Sequence, residues 1–169
     1  MLIDPSCEPD LRPRGPLQRR LADALRRAAP ALGRLAAWTG LAGLLGPRVR
    51  AATIRRGARS GTTPGDAADV RAVYGTGRVV TASLIEVIAY RDQATDLLQL
   101  RTRQLFPPIP AVVLTARDTR DPGWGVRHGE LADLLGGRHV VVSDAGHLLH
   151  IDRPDVVAAA VHSVSEAVR

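Results

Sequence analysis

Lysine is absent from this chain: all 23 basic residues are arginine. Against 17 acidic residues they leave a formal net charge of +6. A basic balance is compatible with nucleic acid or with an anionic membrane surface. No basic segment is interleaved with aromatics, so nucleic-acid binding is not expected. A lysine-free chain rich in Arg, Ala, Gly and Pro reads as the coding bias of a GC-rich genome. Aromatic residues make up only 3%, so alanine, valine and leucine must carry the packing. One cysteine, Cys7, excludes an internal disulfide and suits a cytoplasmic protein. His, Cys and carboxylates nowhere show metal-ligand spacing, so neither a metal nor another cofactor is expected. The most apolar stretch, residues 28–46, is interrupted by Pro30 and Arg34 and is too broken for a membrane span. Residues 1–10 hold Asp4, Glu8 and Asp10 and lack the basic-then-apolar order of a signal peptide. No internal repeat is visible.

What is present is enough for a folded chain. With 169 residues and 45% apolar content, the chain can form one domain that buries roughly 70% of its unfolded surface. Met1-Leu2-Ile3-Asp4-Pro5 reads as the end of a buried strand running into a turn. Residues 9–16 hold three prolines and a glycine and read as a linker. Leu17, Leu21, Ala24, Leu25 and Ala28 share helical spacing over residues 17–29, with arginines opposite. A second helix is expected over 31–45, closed by Gly46-Pro47. Residues 57–66 read as a loop, with Asp66 at a helix start. Helical pattern continues from there to Gln104, with a break near Gly75-Thr76-Gly77. Three prolines in residues 106–110 stop it. Residues 111–115 (AVVLT) and 138–143 (RHVVVS) read as strands buried on both faces. A loop over 116–125 and a helix over 126–135 separate them, and a last helix spans 154–168. Strand, helix, strand, helix at this spacing predicts parallel α/β architecture.

The C-terminal third resembles the end of the α/β-hydrolase family. The resemblance rests on IPAVVLTARD from Ile109, Trp124, LADLLGGRHVVV from Leu131, and DAGHLLHIDRPDVV from Asp144. It implies that His147, in the loop after the last strand, is the catalytic base, and that the acid is Asp118, after the penultimate strand. Asp121 and Asp4 are the other acid candidates. Loops at the carboxyl ends of parallel strands are where open α/β sheets build their sites. Gly146 is expected to allow a sharp turn. His150 and Asp152 read as a surface contact and a helix cap, Asp144 as a turn residue, and His128, His139 and His162 as structural or exposed.

The family's nucleophile elbow, G-x-S-x-G, is not found. Gly57-Ala58-Arg59-Ser60-Gly61 has the letters but not the spacing, and Ser6 and Cys7 lack flanking glycines. Leu2-Ile3-Asp4-Pro5-Ser6 matches the strand end that precedes the cap in this family. The division implied is residues 1–10 as a core strand end and turn, 11–105 as a helical cap, and 106–169 as the C-terminal part of the core. The fold class is then a partial α/β-hydrolase fold with about three parallel strands. On this reading the nucleophile half lies upstream of Met1, because the start was misassigned at an internal GTG valine codon or because the gene is truncated. The first strand would expose a bare edge, so self-association and poor solubility are expected. The parent enzyme would hydrolyse an ester-like or related small molecule, and this chain alone would be inactive. Two alternatives differ in class. One is a non-catalytic accessory or complementing half. The other is a basic interaction module using Arg19, Arg20, Arg26, Arg27, Arg55, Arg56 and Arg59.

Overall fold

The computed structural model describes residues 1–6, 13–60, 65–104, 106–117 and 123–168. Its centre is β2 (Val112–Ala116), the β-branched run expected at 111–115 and displaced by one residue. All five of its residues are buried. Successive side chains point to opposite faces, so a strand buried throughout must be covered on both. Leu114 and Ala116 pack with Val142, Leu149 and Ala160 on one side. Val113 packs with Leu131 and Ala132 on the other. Burying a side chain such as Leu114 stabilises the fold by roughly 1.5–3 kcal/mol.

β2 is flanked by β1 (Leu2–Ile3) and β3 (Arg138–Val142), both parallel to it, in the order β1-β2-β3. The protein is therefore mixed α/β with a three-stranded parallel sheet. Leu2 stands opposite Val113, and Val112 opposite Arg138. Among the described residues neither β1 nor β3 has a second strand partner.

Among the described residues four helices precede β2: α1 (Pro16–Trp38), α2 (Leu41–Gly57), α3 (Ala67–Tyr74) and α4 (Gly77–Arg103). Three follow: α5 (Trp124–Leu134), α6 (Leu149–Asp152) and α7 (Pro154–Ala167). The chain divides into two compact units. The sheet unit comprises Met1–Cys7, Ile54–Thr63 and Leu105–Arg169, and the helical unit comprises Glu8–Thr53 and Pro64–Gln104. The last turn of α2 thus belongs with the sheet.

The helix boundaries correct two expectations. α1 runs through Pro30, and α2 runs through Gly46-Pro47. The break falls between them, at Gly40 with φ +75°, a conformation that glycine adopts freely. Tertiary packing offsets the hydrogen bond that Pro30 removes from α1. Ala22, Ala29 and Gly33 form a buried strip on α1. At Gly33 a Cβ would meet the Gly77 carbonyl oxygen of α4 at 2.5 Å. The Thr81 hydroxyl of α4 donates to the Ala29 carbonyl at 3.3 Å. Other sequence signals fall where expected. Asp66 caps α3 by accepting from the Ala68 N–H at 2.6 Å. α5 ends in a Schellman motif, with Gly136 at φ +58° and the Gly137 N–H donating to the Ala132 carbonyl at 2.8 Å. Among the described residues no single helix is long and apolar enough to cross a membrane. α3 and α4 meet that test only together, across a 64° bend.

Candidate functional site

The carboxyl ends of the three strands converge on one side chain, Asp4. Its N–H donates to the Leu114 carbonyl at 2.8 Å, extending the β1–β2 ladder by one residue. Its backbone then turns at φ +41°, a left-handed conformation that short polar residues tolerate better than others. The turn leaves the Asp4 carboxylate buried, with 1% of the residue exposed. Oδ1 accepts from the Ala116 N–H at 3.1 Å and from Trp124 Nε1–H at 2.9 Å. Oδ2 accepts from His147 Nδ1–H at 2.7 Å.

A carboxylate needs such partners, because burial without hydrogen bonds costs several kcal/mol. Burial pushes the Asp4 carboxyl up, but the hydrogen bonds from His147, Trp124 and the Ala116 N–H outweigh it. The net result is a carboxyl held below its ordinary value of 3.8. The hydrogen bond to Asp4 raises His147 above 6.5, and partial burial opposes it. Because ionised Asp4 only accepts, Nδ1 of His147 carries the proton, and Nε2 of the neutral ring is the basic nitrogen. The His147 side chain is 55% exposed, and no described residue hydrogen-bonds its Nε2.

Behind Asp4 lies a second polar chain. His128 is fully buried. Its Nε2–H donates to the Pro5 carbonyl at 2.6 Å, which fixes the tautomer, since a carbonyl cannot donate. Burial lowers the His128 pKa, the bond to Pro5 opposing it. The ring is therefore neutral, and Nδ1 accepts from the Thr115 hydroxyl at 2.7 Å. The Thr115 oxygen in turn accepts from His139 Nε2–H at 2.8 Å. The Trp124 ring lies 5.0 Å from that of His128. Thr115, His128 and Trp124 together clamp the two residues at which the chain leaves β1.

The loop bearing His147 is tied down separately. Asp152 accepts from three backbone N–H groups: Arg59 at 2.7 Å, Ser60 at 2.9 Å and Gly146 at 2.8 Å. Burial raises the Asp152 carboxyl, and these hydrogen bonds more than reverse it. The Leu148 N–H donates to the Gly57 carbonyl at 2.8 Å. At Gly146 a Cβ would sit 2.4 Å from the Gly57 carbonyl oxygen. Glycine is required there by this close backbone approach, and the positive φ of the loop is at Asp144 (φ +59°).

These positions sort the candidates. The carboxylate bonded to His147 is Asp4, held in the sequence as an alternative. Asp118, the preferred acid, and Asp121 lie outside the described residues, as does Cys7. Asp152 is no helix cap, since α7 has no side-chain cap. It tethers two loops. The Ser60 hydroxyl is hydrogen-bonded to Asp152. His150 and His162 are exposed. Trp124 and Thr115 had no assigned role in the sequence, and His128, read as structural or exposed, is buried and hydrogen-bonded. For Trp124 the sequence signal was a tryptophan within the polar loop expected over 116–125, since an indole N–H near buried backbone needs an acceptor. A shallow cavity of about 390 Å³, lined by Pro110, Gly137, Arg138 and Ser163 among others, lies at the opposite end of the strands. Among the described residues no group of three or more His, Cys, Asp or Glu could hold a metal ion. No family model, curated protein or solved structure matches this chain.

Proposed function

We propose that the sheet unit carries the acid–base half of an α/β-hydrolase site, and that the helical unit (Glu8–Thr53 and Pro64–Gln104) is the counterpart of the family's cap. The observation that carries the reading is the buried Asp4 carboxylate at the end of β1, bonded at 2.7 Å to a half-exposed imidazole beyond β3. Asp4 fixes the Nδ1–H tautomer and stabilises the imidazolium. Nε2 takes the proton of a hydroxyl nucleophile as that oxygen attacks an ester-like carbonyl. The imidazolium then protonates the leaving alkoxide. In the second half-reaction Nε2 deprotonates water, which releases the acid from the nucleophile. Trp124 and the Ala116 N–H keep Asp4 ionised, so the pair can take up and return a proton without rearranging.

No nucleophile elbow is present in the 169 residues, so the chain by itself is expected not to turn over esters. The test is to express this chain alone and also joined to the in-frame codons that precede Met1 in the gene, and to assay both on short p-nitrophenyl esters. Turnover by the longer protein, abolished by His147→Ala and by Asp4→Asn, supports the reading. A longer protein that turns over esters regardless of His147, or a stop codon directly upstream of Met1, overturns it in favour of an accessory role.

A further inference from the structure

α1 presents three distinct faces. Ala22, Ala29 and Gly33 are buried on the side packed against α4. Leu17, Leu21, Leu25, Leu32 and Leu35 fall within an arc of about 80° on a helical projection. All five are exposed, from 43% at Leu25 to 80% at Leu17. Opposite them lies Asp23, with Arg20 and Arg27 on one side of it and Arg19 and Arg26 on the other. Trp38, at the end of the helix, is 85% exposed. Over residues 13–53, which hold α1 and most of α2, eight arginines stand against one acidic residue, Asp23. Leu41, Leu44, Leu45 and Val49 of α2 are also 47–63% exposed.

We infer that α1 docks on an anionic lipid surface, with the leucine stripe in the acyl boundary and the arginines at the phosphates. A leucine face, an arginine-flanked polar face and low mean hydropathy are what an interfacial helix requires. The long arginine stems reach back along the helix to the headgroups, and the excess positive charge is complementary to the lipid. Nucleic acid would neutralise the arginines but leave the leucines in water. A second copy of α1 would cover the leucines but supply no counter-charge. An anionic bilayer satisfies both faces at once.

The test is vesicle flotation, in which bound protein rises and aggregated protein sinks. The full chain is mixed with vesicles of phosphatidylcholine and phosphatidylglycerol, or of phosphatidylcholine alone. The expected result is about tenfold or greater preference for the anionic vesicles, lost at high salt. Leu17→Gln with Leu21→Gln should reduce flotation by about tenfold or more. Arg19→Gln with Arg20→Gln and Arg27→Gln should remove the preference for anionic lipid. These positions are exposed, so the unfolding midpoint serves as a control and should not move. A folded chain that stays off anionic vesicles overturns the inference. So does equal binding to both vesicles, binding indifferent to the leucine pair, or a leucine-dependent dimer that does not float.

Discussion

Replacing Asp4 with alanine removes the acceptor of three hydrogen bonds at once. The Ala116 N–H and Trp124 Nε1–H lose their partner, and His147 loses the anion at Nδ1. A buried donor left unpaired costs about 1–3 kcal/mol. The Ala116 amide is buried and falls in that range, while half-buried Trp124 falls near its lower end. Alanine also tolerates φ +41° less well than aspartate. Relief of the carboxylate's own desolvation offsets part of this, so the net expectation is about 3 kcal/mol of lost stability. Asp4→Asn keeps an acceptor at Oδ1 and a residue suited to the left-handed turn, and should cost only about 1 kcal/mol. The asparagine amide would then face His147 with a donor, which moves the imidazole proton from Nδ1 to Nε2. Urea unfolding followed by circular dichroism measures the first effect, and imidazole ¹⁵N shifts measure the second. An alanine variant as stable as the parent, or an asparagine variant that keeps the Nδ1–H tautomer, would refute the reasoning.

Three further predictions concern the surroundings of the pair. His147 is raised above 6.5, so its contribution is complete below pH 6.5 and is lost as pH rises through the folded value. His128 is lowered, so its contribution is present above pH 6.5 and is lost as pH falls through the folded value. The two oppose each other, so in His147→Gln unfolding stability between pH 5 and 7 should increase with pH more steeply than in the parent. An unchanged slope would contradict the assignment. Gly146→Ala puts a methyl group against the Gly57 carbonyl and should cost about 3 kcal/mol, with faster exchange at the Leu148 amide. Protection there equal to the parent's would show that the crossing is loose. Thr115→Val should cost about 2 kcal/mol by leaving His128 Nδ1 without a donor, and should shift the His139 ring resonances. A thermal melt with no loss would mean that water replaces the hydroxyl.

The sheet was legible because its signals are local. β-Branched runs at 112–116 and 138–142 have few other homes, and Gly136-Gly137 marks the end of α5 unambiguously. The helical boundaries were less so. Pro30 and Gly46-Pro47 are strong local breakers, yet α1 and α2 continue through them, and only the packing of Gly33 on Gly77 accounts for the first. His147 was singled out by the residues around it, and the structure places it beside Asp4. The carboxylate it meets was harder to place, because Asp4 and Asp118 both follow strand-like runs; the structure brings Asp4 to His147, and Asp118 lies outside the described residues. The Asp152 tether could not be read from sequence, since its partners at Arg59 and Ser60 lie more than ninety residues away.

The separation of Asp4 from His147 has a consequence for folding. The two residues are 143 positions apart, and β1 pairs with β2 across more than a hundred residues. During synthesis Asp4 is made before β2 and the His147 loop, and its carboxylate has no imidazole to pair with until both have been made. Helices such as α1 and α4 form from nearby contacts, whereas closing the β1–β2 ladder requires a long loop to be drawn in before any contact rewards it. The Asp4–His147 pair is thus expected to be among the last features to assemble. The His147 imidazole is a natural timer for that step: its Nδ1 proton acquires an acceptor only when the segment around Asp4 has docked.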